Sequence, residues 1–393
     1  MVSSSRRVAV LARHVGPAAT VAATLAATVA ATTTRTKTIC LVGSMIADVV
    51  CVLMEAELSE MTGSPSFSKA NQASSVGKVT QTAGGVCMNV ARALRGLGHV
   101  PVHLVSAVGE DASGRELVEL CSAAGICTKG ILPFKDTRTA TVVCLLNGRG
   151  EVVFSLADVS ILEDHMTPAM ALTCMARCAY SGGIVVTDGD LASDVLNAVC
   201  SRARAEGCTI VFDPATVRKA PRCLECLQDI DFLFPNVEEL TELYNAIETN
   251  AGRDRSRTPE RMPMRGSGVP DVFQRCLPAV NAVLDRGVGH VIVTAGEYGA
   301  GIYWRRGTDV ELAHCPALAA RNVASVSGAG DCLVAGFVRS LSLGQSIEEA
   351  LALGVAYAWE ALQTKSNVPS GFDGVRLAAN AGLLGRRIMK CTL

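Results

Sequence analysis

Ser327-Gly328-Ala329-Gly330-Asp331, running into the apolar stretch Cys332-Leu333-Val334-Ala335-Gly336-Phe337, reads as a turn of small residues that opens a helix. Two glycines and an alanine leave backbone N–H groups unshielded where the helix macrodipole also favours negative charge. Such a turn cradles an anion. An acid beside a bound phosphate would repel it, so Asp331 needs another task, and taking the proton of an attacking hydroxyl is the chemistry that fits. The same pentapeptide also reads as a plain glycine turn with an acid in the first helical turn, and taken alone it leaves the two readings level.

The surrounding chain has 393 residues, 49% hydrophobic and 19% charged, enough for a sizeable core in one large or two ordinary domains. A net charge of −1, 4% aromatic residues and no basic-aromatic stripe argue against a nucleic-acid partner. Sixteen cysteines are scattered, many inside apolar runs such as Val143-Cys144-Leu145, a usage that suits buried thiols in a reducing compartment. Cys223-x-x-Cys226 has no second pair, and the histidines show no ligand spacing.

Residues 1–47 carry Arg6, Arg7, Arg13, Arg35 and Lys37 but no acid, and Ala and Thr dominate from Pro17 to Thr34. Residues 1–37 therefore read as a low-complexity or targeting segment, too weakly apolar for a membrane span. The expected location is intracellular, in the cytosol or in an organelle reached through this segment. Arg7-Val8, five residues, then His14-Val15 resembles a peroxisomal or glycosomal address, with Val15 departing from its usual last residue.

From residue 38 to about 390 short apolar runs alternate with helical patterns, the signature of an α/β fold with a doubly wound parallel sheet. Candidate strands are Ile39 to Val42, Val102 to Val105, Ile184 to Val186, Ile210 to Phe212, Phe232 to Phe234 and Val291 to Val293. Polar or glycine residues follow each: Gly43 to Asp48, Gly109 to Asp111, Asp188, Asp213, Asn236, and Thr294 to Gly296. Ligands bind outside the carboxyl ends of such strands, so these residues are expected along one crevice. Thr139 to Leu146 and Glu151 to Leu156, joined by Asn147-Gly148-Arg149-Gly150, read as a β-hairpin suited to a lid. Lid strands are expected within about 48–83 and 131–158, and the Arg- and Pro-rich stretch at about 250–268 reads as a surface insertion.

A second glycine constellation, Gly84-Gly85-Val86-Cys87-Met88-Asn89, opens a helix whose Val90, Ala93, Leu94 and Leu97 share a face and whose stop is Gly98. Paired glycines permit close ligand approach, and Asn89 offers donors and acceptors to sugar hydroxyls. Later come Asn236-x-x-Glu239 and Thr294-x-Gly296, each after a strand, and last Gly328 to Asp331. Asn236 and Glu239 also read as the capping residues of a helix start.

In this order the set resembles the ribokinase-like, or PfkB, family of sugar and nucleoside kinases over roughly residues 38–385. The resemblance implies a three-layer α/β/α sandwich with a mostly parallel central sheet and a small β lid. It implies Asp331 as catalytic base, with the N–H groups of Ala329, Gly330 and Asp331 forming the anion hole and Gly328 beside them in the catalytic turn. By the same resemblance Asp48, Gly84, Gly85 and Asn89 hold sugar hydroxyls, Asn236, Thr294 and Gly296 contact nucleotide, and Glu239 with Asn236 organises magnesium and phosphate. Ser366 to Ser370 falls where the family lines the adenine pocket. ATP and Mg²⁺ are the implied cofactors. Many relatives bind potassium through an Asp two residues before the first residue of the cradle, where this chain has Ser325.

Within the family, Gly77-Lys78-Val79, Leu156-Ala157-Asp158-Val159-Ser160-Ile161-Leu162, Phe212-Asp213-Pro214 with Lys219-Ala220, and Ser325-Val326-Ser327-Gly328 are similar to pseudouridine kinases. Asp190 and Cys87-Met88 depart from that pattern. The expected activity is phosphorylation of a primary sugar hydroxyl, with pseudouridine as substrate and Asp158 facing its base. Asp158 also reads as a solvated acid at a strand end. Alternatives are a ribokinase-like or adenosine-kinase-like enzyme on another pentose or nucleoside, and a noncatalytic ligand-binding relative. The expected partner is a small sugar or nucleoside, with neither nucleic acid nor membrane, and a homodimer is compatible with the sequence.

Overall fold

The computed structural model describes residues 36–53, 76–98, 100–147, 152–252, 268–320 and 323–393. Most of the amino-terminal segment, the tip of the expected hairpin turn and nearly all of the Arg- and Pro-rich insertion lie outside these residues.

The chain enters the sheet at β1 (Ile39–Val42), whose four side chains are all buried. A strand covered on both faces has no polar side to present, which is why β1 reads as an unbroken apolar run. Parallel neighbours flank it: β4 (Val102–Gly109) on one side and β8 (Ile184–Asp188) on the other. Beyond them lie β5 (Cys127–Phe134) on the first side and β9 (Thr209–Asp213), β10 (Phe232–Leu233) and β11 (His290–Thr294) on the second. Antiparallel strands β12 (Ala300–Arg306), β13 (Asp309–Cys315) and β14 (Met389–Thr392) extend that edge and complete a ten-stranded sheet.

Helices cover both faces, giving three layers. On one face, α1 (Val86–Gly96), α2 (Ala112–Ala123), α8 (Ala329–Ser342), α9 (Ile347–Leu362) and α10 (Gly374–Gly385) bury their apolar stripes with Ile39, Leu41 and Val186. On the other, α3 (Pro168–Met175), α4 (Ser193–Ala205), α5 (Val237–Asn250), α6 (Asp271–Arg275) and α7 (Leu277–Leu284) pack with Cys40, Val42 and Val185. Start signals are explicit: Asn236 and Glu239 close a capping box on α5, and Ser346 and Glu349 do the same on α9. Asp111 is spent similarly, accepting from Gly114 N at 2.8 Å and Thr139 Oγ1 at 2.6 Å, so it fastens α2 and does not serve the crevice. No helix among the described residues is long and apolar enough to cross a membrane.

A separate four-stranded sheet stands over the carboxyl ends of the central strands, with order β3-β2-β6-β7. Its members are β2 (Ile46–Leu53), β3 (Gly77–Gly84), β6 (Thr141–Leu146) and β7 (Val152–Asp158). The expected hairpin is thus present as β6 and β7, while residues 131–134 belong to β5 of the central sheet and not to the lid.

Candidate active site

The crevice forms where β1, β8, β9, β10 and β11 end and the lid begins. Asp188, the last residue of β8, is its buried knot. One of its oxygens, Oδ2, accepts from Ser44 N and Ser44 Oγ at 2.8 Å each and from Cys87 N at 3.1 Å, while Oδ1 accepts from Asp190 N at 3.0 Å. The β1–β2 turn, the start of α1 and the β8–α4 loop are therefore tied to one carboxylate. Burial raises its carboxyl above the ordinary range, with the nearby Asp190 charge adding to the effect.

Gly85 joins β3 of the lid to α1 at φ +91°, and a Cβ there would lie 2.7 Å from the Ser44 carbonyl oxygen. Only glycine enters a helix along that path without strain. Gly84 beside it leaves room for Asp48, whose Oδ2 occupies the space that a Cβ would fill. Asn89 then follows in the first turn of α1, 5% exposed, and its Nδ2 donates to Asp331 Oδ2 at 2.8 Å across 242 residues. The other end of that amide, Oδ1, is buried without a hydrogen-bond partner, an acceptor awaiting a donor from the crevice.

Asp331 sits in the first turn of α8, where no side chain caps the helix and Gly328 adopts the left-handed conformation at φ 78°. The turn is held from behind, because a Cβ on Gly328 would collide with the Asn367 carbonyl. In front it is open: nothing lies within 4 Å of a Cβ placed on Gly330. Asn367 also donates through Nδ2 to Asp48 Oδ2 at 3.1 Å and to the Ala83 carbonyl at 3.3 Å, fastening the cradle to the lid. The 366–370 segment, expected at an adenine pocket, thus places at least Asn367 between the cradle and Asp48.

Burial pushes Asp331 up to about 7; the Asn89 hydrogen bond opposes the rise, and Asp188, Asp48 and Asp190 add to it. Asp48 is pushed up to about 6, again by burial first. Asp213 is raised well above the ordinary range by burial, then by Glu239 and by Asp331, which joins the α5 start to the cradle electrostatically. Among the described acids of the crevice, Asp190 forms an ion pair, with Lys219. Arg222 holds the same loop by donating to the Gly189 carbonyl at 2.9 Å, and it pairs with Glu163, just beyond the lid, at 2.6 Å.

Asn236 and Glu239 form the capping box itself: Glu239 N donates to Asn236 Oδ1 at 2.8 Å and Asn236 N donates to Glu239 Oε2 at 2.9 Å. Thr294 lies alongside, its strand end bridged to Asn236 and its N–H donating to the Pro235 carbonyl at 3.0 Å. Gly296, at φ +53°, lies exposed in the following turn. Three His, Cys, Asp or Glu side chains do not converge closely enough among the described residues to cage a metal by themselves. A magnesium ion that takes one or two carboxylates and completes its shell with water and phosphate oxygens fits Glu239, a buried carboxylate beside the other acids.

Asp158 falls elsewhere. Strand register puts it in a row with Thr141, Ala47 and Ala83, one residue out of phase with the row of Asp48, Val142 and Ala157. Side chains alternate across a strand, so Asp158 points away from the face that carries Asp48. It is exposed, and its Oδ1 accepts from Ser160 Oγ at 2.8 Å and Ser160 N at 3.3 Å. Polar lid residues on the face that carries Asp48 are Thr82 in its own row and Thr80 and Ser155 in the next row outward, with Ser155 Oγ 3.5 Å from Cys144 Sγ.

The pfkB family carbohydrate kinase profile matches residues 36–370. The chain belongs to this family. It is a phosphotransferase with an alcohol group as acceptor, and its fold is the ribokinase-like sandwich with a lid. A pseudouridine kinase of Arabidopsis thaliana is 28% identical over 374 residues, covering 85% of this chain and 96% of that protein. A carbohydrate kinase from Agrobacterium tumefaciens superposes with a TM-score of 0.66 at 25% identity, over 91% of this chain and all of that one. Arabidopsis thaliana ribokinase, solved with ribose and ATP, superposes with a TM-score of 0.67 at 20% identity, over 88% of this chain and 99% of its own.

Proposed function

We propose that this kinase transfers the γ-phosphoryl group of ATP to the 5′-hydroxyl of pseudouridine, with magnesium and with Asp331 as general base. The observation that carries the reading is the meeting of Asp331, held by Asn89, with the uncapped start of α8. A carboxylate pushed up to about 7 is matched to accepting a proton near neutral pH. The N–H groups of the α8 start face the developing negative charge, which is the largest contribution a protein makes to phosphoryl transfer. Magnesium, when bound near Glu239, neutralises phosphate charge. Asp48 and the unpartnered Asn89 Oδ1 accept hydrogen bonds from ribose hydroxyls and so place the 5′-oxygen beside Asp331.

The choice of pseudouridine is supported by the similarity to the Arabidopsis thaliana enzyme along nearly its whole length. Pseudouridine differs from uridine by an additional ring N–H, and a polar site rejects an isostere that cannot pair with it more strongly than an apolar pocket does. Ser155, which shares the lid face of Asp48 with Thr80 and Thr82, is the side chain we assign to reading that edge.

A substrate panel tests this. kcat/KM is expected to be higher for pseudouridine than for uridine, adenosine or ribose. Ser155→Ala should narrow the preference by about fivefold to tenfold, the loss of one hydrogen bond, and Asp158→Ala should leave it unchanged. Equal or better turnover of ribose overturns the substrate and leaves phosphoryl transfer standing.

A further inference from the structure

All sixteen cysteines are free thiols, and most pack into the core as small apolar groups. One set differs in its surroundings. Cys40 is the second residue of β1, and its register partner on β4 is His103, so thiol and imidazole stand side by side under α3. The chain leaving α3 brings Cys178 against both, so that its sulfur interacts with the Cys40 thiol and the His103 ring. Cys178 donates its own hydrogen to the Cys174 carbonyl at 3.6 Å.

This trio opens to solvent. Cys178 lines a surface cavity of about 530 Å³ at the amino ends of β1 and β8, the end of the sheet opposite the crevice. Cys178 is 8% exposed and Cys40 is fully buried behind it. Lys37 and Arg202 bring positive charge to the cavity wall; Glu206 is paired with Arg202 at 2.7 Å, which leaves the Lys37 charge to act on a visitor. His103 Nδ1 is buried without a hydrogen-bond partner. The Cys40 thiol and the His103 ring beside it bring the Cys178 thiol below its usual range, while Cys40 is pushed up. Cys226 also stands against Cys200 and Cys223, but all three are buried in the core away from the cavity, and the Cys223 and Cys226 thiols donate to the carbonyls of Ala220 and Cys223.

We propose that Cys178 and Cys40 form a thiol–disulfide exchange site, in which Cys178 captures a small anionic disulfide from the cavity and Cys40 resolves it. The Cys178 thiolate attacks one sulfur of R–S–S–R, the S–S bond breaks, and R–S⁻ leaves and takes a proton from water. Cys40 then passes its proton to His103 Nδ1 while its sulfur attacks Cys178 and expels the second R–S⁻. Two protein thiols are oxidised to one Cys40–Cys178 disulfide, and the small disulfide is reduced to two thiols. The inference stands apart from the kinase reading because it uses the other end of the sheet.

The test uses the full chain with oxidised glutathione, a dianionic disulfide, followed by alkylation of remaining thiols and peptide mapping. A Cys40–Cys178 cross-linked peptide is expected as the first product. Cys40→Ser should accumulate the mixed disulfide on Cys178, and Cys178→Ser should slow uptake by about tenfold or more. Uncharged hydroxyethyl disulfide should react several-fold more slowly. First modification at Cys51, Cys127, Cys144 or Cys391 in the unaltered chain, with Cys178 still reduced, overturns the proposal. Equal rates for the two disulfides overturn the anionic preference.

Discussion

β1 and β3 are both strands that feed the same crevice, yet all four side chains of β1 are buried while six of the eight residues of β3 are exposed. The central sheet fixes the positions at its carboxyl end by packing on both faces. The lid is held by its own ladder and by a few contacts with that end, such as those of Asn367 with Asp48 and with the Ala83 carbonyl. Chemistry that needs a fixed geometry belongs on the first region, and selection among substrates belongs on the second.

The largest expected effect is at the fixed end. Asp331→Asn keeps the size and the Asn89 contact but cannot take a proton, so kcat should fall roughly 10²-fold to 10⁴-fold with KM for ATP little changed. Near-normal turnover would show that the base lies elsewhere. In the unaltered protein kcat/KM should rise with pH to a plateau, with an apparent pKa of about 7, because the ionised carboxylate is the working form. Stability runs the other way: the folded state binds this proton more tightly than the unfolded chain, so it loses stability as pH rises from the ordinary carboxyl range through about 7. A flat rate profile across that range removes Asp331 as base.

The join between the regions comes next. Gly85→Ala forces a Cβ toward the Ser44 carbonyl at φ +91° and should cost about 1–3 kcal/mol of unfolding free energy, read from denaturant melts. Turnover should fall with it, since the same turn positions Asn89. An unaltered midpoint would mean that the lid and α1 relax independently.

The smallest effect concerns potassium. Ser325 stands where the family resemblance implies a carboxylate, and its hydroxyl oxygen accepts from Ser327 N at 3.1 Å. Stimulation of less than about twofold on replacing sodium by potassium is expected, because a hydroxyl adds no charge to a cation site. Strong, potassium-selective activation would place another anionic ligand near the cradle.

The same contrast explains what the sequence revealed. Strands buried on both faces leave unbroken apolar runs, so β1, β4, β8, β9, β10 and β11 could be read directly. β3 reads Gly-Lys-Val-Thr-Gln-Thr-Ala-Gly, with no apolar alternation to betray it, and β14 is a short edge strand at the end of the chain. Asp331 and Asn89 were legible because glycine turns before helices mark them. Their mutual hydrogen bond was not, nor were Asn367 with Asp48 or Lys219 with Asp190, since these contacts span large stretches of chain. Asp158 carried two readings, facing the base or solvated at a strand end, and its exposure and strand phase agree with the second: the apolar run around it shows a strand, but only the register with β6 and β2 tells which face it presents.

The most direct measurement is of the transfer itself: incubation of the protein with ATP, Mg²⁺ and pseudouridine, with phosphorus NMR locating the phosphate on the product. One ADP should form per pseudouridine 5′-phosphate, and Asp331→Asn should form neither at a comparable rate. Absence of phosphoryl transfer to pseudouridine and to every other sugar or nucleoside tried would contradict the account.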